Sequence, residues 1–273
     1  MAMIIDGKNI SQQIKEELKE KVTAQKARGK EGALAVIQVG ADPASSVYVR
    51  NKKNACAFVG IESLAYELPE ETPEEELLSL IAELNSNEKV KGILVQLPLP
   101  GHINEDKVIQ AISPSKDVDG FHPQSVGAMV IGEKGFLPCT PAGIIQLLKR
   151  SGIEIAGKNC VVVGRSNIVG KPMALLMLRE HATVTITHSR TQNLAGICRQ
   201  ADILIVAMGK PRFIGAEYVK EGAVVIDVGI HRNAENKLCG DVKFEEVEPI
   251  ASAITPVPGG VGPMTIVSLM LNT

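Results

Sequence analysis

The chain has no tryptophan, and aromatics of all kinds make up only 3% of it. Stacking platforms for single-stranded nucleic acid are therefore not expected. Charge of one sign is lacking too. The 29 Lys and Arg and 31 Asp and Glu leave a formal net charge of −2, with no long-range pull toward nucleic acid or an anionic membrane. No apolar run approaches the roughly 18 residues that cross a bilayer. The opening MAMIIDGKNI has neither the basic flank nor the long apolar core of a secretory signal. The five cysteines form no CxxC pair, and an odd number fits free thiols in a reducing cytoplasm better than a disulfide framework. No metal site, nucleic-acid partner or membrane partner is expected. What remains is globular, at 45% hydrophobic and 22% charged, and its 273 residues suffice for two ordinary domains.

One stretch organises the rest. Lys158 to Leu178, KNCVVVGRSNIVGKPMALLML, opens with the β-branched run Val161-Val162-Val163. A turn from Gly164 to Gly170 follows, and then an apolar run of helical character, with Pro172 suited to the first helical position. Strand, glycine turn and helix make a dinucleotide-binding βα unit. Free N–H groups and the positive end of the helix dipole would face a pyrophosphate in the turn. The spacing is G-x-S-x-x-x-G rather than G-x-G-x-x-G, so an ordinary glycine turn is the competing reading. Further strands weigh against it. Ala182–Thr187, Asp202–Met208 and Ala223–Gly229 read as strands separated by helical or polar segments, as a parallel, helix-covered sheet requires.

The N-terminal half also alternates. Asn9–Arg28 reads as an amphipathic helix carrying Ile10, Ile14, Leu18 and Val22, and Ala33–Val39 as a strand. Asp42 and Pro43 suit the start of a helix running to about Val59. Ser63–Leu68 is a short strand, and Thr72-Pro73-Glu74-Glu75 suggests a capping box ahead of a helix through Leu84. Gly92–Leu97 is a strand stopped by Pro98, a short helix follows Asn104, and residues 113–123 read as loop. A helix from Thr140 leads into the strand at Cys160, and a Pro- and Gly-rich loop, Thr255–Pro263, precedes an apolar helix over Met264–Leu271. The fold class is α/β. It comprises an N-terminal α/β domain over 1–139 and a Rossmann-type nucleotide-binding domain over 140–262. Residues 263–273 would pack back on the first domain.

Several residues could carry chemistry. Tyr48 and Lys52 are four apart and share a helix face. Taken alone they fit a half-buried Tyr beside a solvent-facing Lys better than a site. A Y-x-x-x-K helix is also similar to that of short-chain dehydrogenases, but there the glycine turn comes first, whereas Tyr48 precedes Gly164. Gln96 ends a buried strand at the carboxyl edge, where ligands bind in open α/β sheets, or it merely caps backbone groups. Asp117 and Asp119 either form an Asx-type turn or offer a carboxylate to a bidentate N–H edge such as a pteridine presents. The second strand of the glycine-turn unit ends Thr187-His188-Ser189-Arg190, without the acid that binds the ribose 2′-OH of NAD. With Arg165 in the turn, a hydroxyl and two arginines suit the 2′-phosphate of NADP.

Together these residues resemble the bifunctional 5,10-methylenetetrahydrofolate dehydrogenase/5,10-methenyltetrahydrofolate cyclohydrolase family of the bacterial FolD type. The resemblance rests on Tyr48-Val49-Arg50-Asn51-Lys52, GILVQLPLP from Gly92, KDVDG from Lys116, PCTP from Pro138, VVVGRSNIVGKP from Val161 and TPVPGGVGPMT from Thr255. It implies oxidation of methylenetetrahydrofolate with NADP, then hydrolysis to 10-formyltetrahydrofolate, in cytoplasmic one-carbon metabolism that feeds purine biosynthesis. It also implies a catalytic first domain, an NADP-binding second domain, a folate cleft between them, and a homodimer acting on tetrahydrofolate derivatives. Carried over, Lys52 is the catalytic lysine, Tyr48 packs on the folate, Gln96 partners Lys52 and Asp119 holds the pterin. Leu97, Pro258 and Gly259 line the folate pocket, while Gly164, Arg165, Ser166, Ser189, Arg190 and Ile230 contact NADP. Two alternatives stay open: another NADP-dependent dehydrogenase, which would not need Lys52, Gln96 and Asp119 together, and a non-catalytic nucleotide-binding module.

Overall fold

The computed structural model describes residues 1–273, and the side chains of all but residues 43–46. In chain order the elements begin with β1 (Met3–Ile4), α1 (Gly7–Lys26), β2 (Ala33–Val39), α2 (Pro43–Val59), β3 (Glu62–Leu68), α3 (Glu74–Ser86) and β4 (Val90–Val95). Then come α4 (Glu105–Ala111), α5 (Pro123–Ile131), α6 (Cys139–Arg150), β5 (Asn159–Val163), α7 (Gly170–Arg179), β6 (Thr183–Thr187), α8 (Leu194–Cys198) and β7 (Ile203–Val206). The chain closes with β8 (Val224–Asp227), β9 (His231–Arg232), β10 (Leu238–Cys239), α9 (Phe244–Val247), β11 (Ala253–Ile254) and α10 (Val261–Asn272). Among the described residues no helix is long and apolar enough to cross a membrane.

The chain divides into two compact units. One comprises residues 12–139 and 266–273, the other residues 1–11 and 140–265. Residues 1–11 thus part from the 1–139 boundary read from the sequence. The reason is a strand too short to show a pattern: Met3 and Ile4 pair in parallel with Ala253 and Ile254.

In the unit of residues 12–139 the parallel sheet runs β3-β2-β4. Every residue of β2 is buried, as a central strand covered on both faces requires. The core joins Ala35, Ile37 and Val39 of β2 to Ile93 and Val95 of β4 and to Leu77, Ile81 and Leu84 of α3. The segment around Asp117 adds to the β4 edge: Ile93 N donates to Lys116 O at 2.8 Å. Gly92 permits that approach, because a Cβ there would overlap a methyl group of Val118. Asn104 caps α4 by accepting from Lys107 N at 3.1 Å. The capping box at Thr72 does not form. The helix starts at Glu74, which leaves Pro73 at the cap with no side-chain acceptor. The Glu74 carboxylate instead accepts from Asn104 N and Lys107 Nζ, each at 2.7 Å.

The other unit holds a six-stranded sheet in the order β1-β11-β8-β7-β5-β6, parallel throughout. Val161, Val163, Leu204, Val206 and Val225 form the centre of its core. Helix α7 begins at Gly170, so Pro172 is its third residue rather than its first. The missing N–H still costs no intrahelical bond, because the first-turn donors have no acceptor within the helix. The short elements α5, α8, α9 and the β9–β10 hairpin add to the sequence reading.

Candidate active site

In the unit of residues 12–139, Lys52 and Tyr48 lie one turn apart on α2. Tyr48 is half-buried, and burial raises its phenol pKa. Lys52 is only 7% exposed, so the solvent-facing reading fails. Its Nζ donates to Gln96 Oε1 at 3.0 Å, and Gln96 Nε2 donates to the neighbouring Leu97 O at 2.7 Å. Gln96 stands where β4 leaves the sheet, held by its own N–H on Ile37 O at 2.8 Å. Burial lowers the Lys52 pKa, against the opposing pull of the Asp119 carboxylate and the Cys139 and Cys56 thiols.

The two aspartates of the Lys116–Gly120 segment separate in role. Asp117 is the turn former: it accepts from Phe121 N at 3.2 Å, His122 N at 2.8 Å and Ser125 Oγ at 2.7 Å. Asp119 instead lies within electrostatic reach of Lys52 and beside the Cys139 thiol. Burial raises the Asp119 carboxyl to about 6, while Lys52 pulls it down. Gly120, at φ +72°, turns the chain where a Cβ would crowd Leu137 and Pro138. Two neighbours lie outside the expected site residues, Cys139 within the PCTP segment and Asn272 outside every motif. Cys139 donates its thiol to Val118 O at 3.2 Å. Asn272, on α10, donates to Val118 O at 2.8 Å and Leu137 O at 3.0 Å, bracing the loop that carries Asp119. Pro258 and Gly259 belong to the other unit, in the loop ahead of α10, where Gly259 O accepts from Lys8 N at 2.9 Å.

In that other unit a cavity of about 340 Å³ opens at the carboxyl edge of β5, lined among others by Gly164, Arg165, Ser166, Ser189, His188 and Met208. Gly164 has φ +134°, and a Cβ on it would overlap the Ala207 carbonyl. A Cβ on Gly170 would overlap the Gly164 carbonyl, so both glycines serve close backbone approach rather than loop freedom. The N–H groups at the start of α7 are not all free as the sequence suggests. Ser166 Oγ accepts from Val169 N and Gly170 N, each at 3.2 Å. Exposed Arg165 and Ser189, with Lys210, are left as polar groups for an anion. No acid ends β6: Thr187 is buried, its hydroxyl on Val162 O at 3.3 Å, and His188 follows. Arg190 is exposed beside Ser189 but does not line the cavity, nor does Ile230, which is exposed beyond β8. This cradle fits NADP. Among the described residues no three His, Cys, Asp or Glu converge as a metal site requires.

Comparison with known proteins identifies the family. Residues 5–119 match the family model for the tetrahydrofolate dehydrogenase/cyclohydrolase catalytic domain, and residues 138–273 that for its NAD(P)-binding domain. The chain is 74% identical to the bifunctional protein FolD of Agathobacter rectalis, across 100% of this chain and 98% of that one. It is 71% identical to its counterpart in Lachnoclostridium phytofermentans, over 100% and 96%. Among solved structures, the bifunctional FolD of Campylobacter jejuni superposes with a TM-score of 0.98 at 52% identity, over 100% of this chain and 97% of that one. The Trypanosoma brucei enzyme, solved with NADP and an inhibitor, does so at 0.95 and 40% identity, over 99% and 95%.

Proposed function

The chain belongs to the tetrahydrofolate dehydrogenase/cyclohydrolase family, and on that premise we propose which side chains carry its two reactions. The protein is a bifunctional enzyme. It oxidises 5,10-methylenetetrahydrofolate to the methenyl form with NADP and hydrolyses that product to 10-formyltetrahydrofolate. The observation that carries the assignment of roles is Lys52, buried with a lowered pKa, bonded to Gln96 and close to Asp119.

NADP, when bound, supplies the acceptor for the hydride. The protein's part in that step is juxtaposition, with Gly164, Arg165, Ser166 and Ser189 seating the nucleotide and Tyr48 packing on the folate. Arg190 and Ile230 complete the nucleotide contacts, and Leu97, Pro258 and Gly259 those of the folate. Asp119 holds the donor edge of the pterin. Hydrolysis needs proton transfer. Water adds to the bridge carbon and gives one proton to the neutral Lys52 amine. The resulting ammonium returns that proton to the ring nitrogen as its bond to the bridge carbon breaks. The second water proton goes to solvent as the formyl carbonyl forms. A lowered lysine pKa suits this exchange, because the amine must be neutral to begin it. Gln96 orients Nζ without adding a charge that would restore the ordinary pKa.

The enzyme works as a cytoplasmic homodimer, and its formyl product serves purine biosynthesis. The family resemblance supports that setting, and five cysteines without a CxxC pair fit a reducing compartment. A single assay tests the reading. With methylenetetrahydrofolate and NADP, absorbances of the reduced cofactor and of the methenyl product rise together, and the methenyl absorbance then decays. Cofactor reduction without methenyl decay would remove the hydrolytic role, and no reduction at all would remove the dehydrogenase.

A further inference from the structure

We infer that Asp241 is a positioning residue for the nucleotide, its buried carboxylate fixing the pocket-lining loop after β7 and tying it to the segment after β8. The inference rests on the NADP-dependent reading above. At the carboxyl edge of β7 the chain leaves the sheet through Ala207, Met208 and Gly209, the edge at which open parallel sheets bind ligands. Met208 N and Gly209 N both donate to Asp241 Oδ2, at 2.8 and 3.0 Å. Asp241 Oδ1 contacts His231 Nε2 at 2.7 Å. Met208 lines the nucleotide cavity, and His231 directly follows Ile230.

The Asp241 side chain has 0% exposure. A carboxylate so buried is tolerated only when donors surround it, and here three do. Its own backbone is fixed on both sides. Asp241 N donates to Asp227 Oδ1 at 2.9 Å, while Phe213 N and Ile214 N donate to Asp241 O at 2.7 and 3.0 Å. Gly229 and Gly240 close the packing: a Cβ on Gly229 would lie 2.5 Å from Asp241 N, and one on Gly240 would overlap the Asp227 carboxylate. Asp227 thus holds residue 241, and Asp241 holds two loops, both at carboxyl ends of strands. An aspartate that served only the fold would have no reason to act on NADP more than on the second reaction.

The bifunctional enzyme supplies its own control, because hydrolysis of methenyltetrahydrofolate can be assayed without cofactor. Asp241→Asn keeps the size and an accepting oxygen but weakens its bonds to Met208 and Gly209, whereas Asp241→Ala removes them. A hydrogen bond to a charged group is worth about tenfold or more in an equilibrium. Without those bonds the loop leaves its binding-competent position most of the time, so Asp241→Ala should raise KM and Kd for NADP by about tenfold, with Asp241→Asn between it and the unmodified enzyme. Dehydrogenase kcat at saturating NADP and the cyclohydrolase rate should hold. Unchanged NADP affinity in the Asn variant overturns the inference. So does a cyclohydrolase rate that falls in step with the dehydrogenase, or an Asn variant that fails to fold, since either makes Asp241 a residue of the fold alone. Absence of NADP-dependent activity in the unmodified protein would instead strike the functional reading.

Discussion

Lys52 Nζ and Gln96 Oε1 lie 3.0 Å apart, one on α2 and the other where β4 leaves the sheet, 44 residues later in the chain. The Gln96 amide nitrogen donates to Leu97 O, so the amide oxygen has one orientation in which to receive the lysine. A neutral partner leaves burial as the dominant influence on the Lys52 pKa and moves it toward the range in which an amine exchanges protons.

Replacing that lysine separates the two reactions. Hydride transfer needs no proton acceptor for its central event, while hydrolysis does. Lys52→Met should lower the cyclohydrolase rate by about 10²–10⁴-fold and leave measurable dehydrogenase activity. The methionine keeps much of the apolar stem, and circular dichroism should show a folded chain. Methenyltetrahydrofolate should accumulate in the coupled assay. Hydrolysis at the unmodified rate would take the acid–base role from Lys52.

Asp119 gives a pH dependence. Its carboxyl is raised to about 6 by burial, so it is ionised above that pH and protonated below it. If the ionised group grips the pterin, folate affinity is full above about pH 6 and declines as pH falls through it. Calorimetry across that range should show the inflection, and Asp119→Asn should remove it. Stability runs the other way. A folded pKa above the ordinary 3.8 means that the folded chain holds the extra proton between 3.8 and about 6. This contribution is therefore fully present below the window and lost as pH rises through it. Urea unfolding of the Asn variant should lack that slope.

Arg165 tests the cofactor. It is exposed in the nucleotide cavity near Ser189, and no acid ends β6. Arg165→Ala should raise KM for NADP by about tenfold or more while leaving NAD nearly unaffected. The measurement is the ratio of kcat/KM for the two cofactors. The unmodified enzyme should favour NADP, and equal efficiencies there would remove the argument from the arginine.

Lys116 concerns stability rather than chemistry. Its Nζ donates to Leu84 O at 2.9 Å, Asn85 O at 2.7 Å and Asn87 O at 2.8 Å, satisfying carbonyls at the end of α3. Lys116→Met strips those bonds and should cost about 1–3 kcal/mol. Chemical denaturation should register the loss, and KM for folate should change little. A change in KM without a change in stability would mean that the lysine acts on the folate-binding loop directly.

The alternation of strands and helices is legible along the chain, because hydrophobic period and β-branched runs are local properties. So are the glycine turn and the missing acid after β6, since both are identities at fixed offsets along the chain. Tertiary structure decided matters that depend on residues far apart in that order. It made Lys52 a buried group instead of a surface one, by setting α2 against the end of β4. It distinguished Asp117 from Asp119, two carboxylates that spacing cannot tell apart, by giving one three local donors and setting the other near Lys52 and the Cys139 thiol. It gave the start of α7 to the Ser166 hydroxyl. It also carried Met3 and Ile4 to the edge of a sheet whose partner strand lies near the other end of the chain, a pairing that no short-range pattern records because the strand spans only two residues.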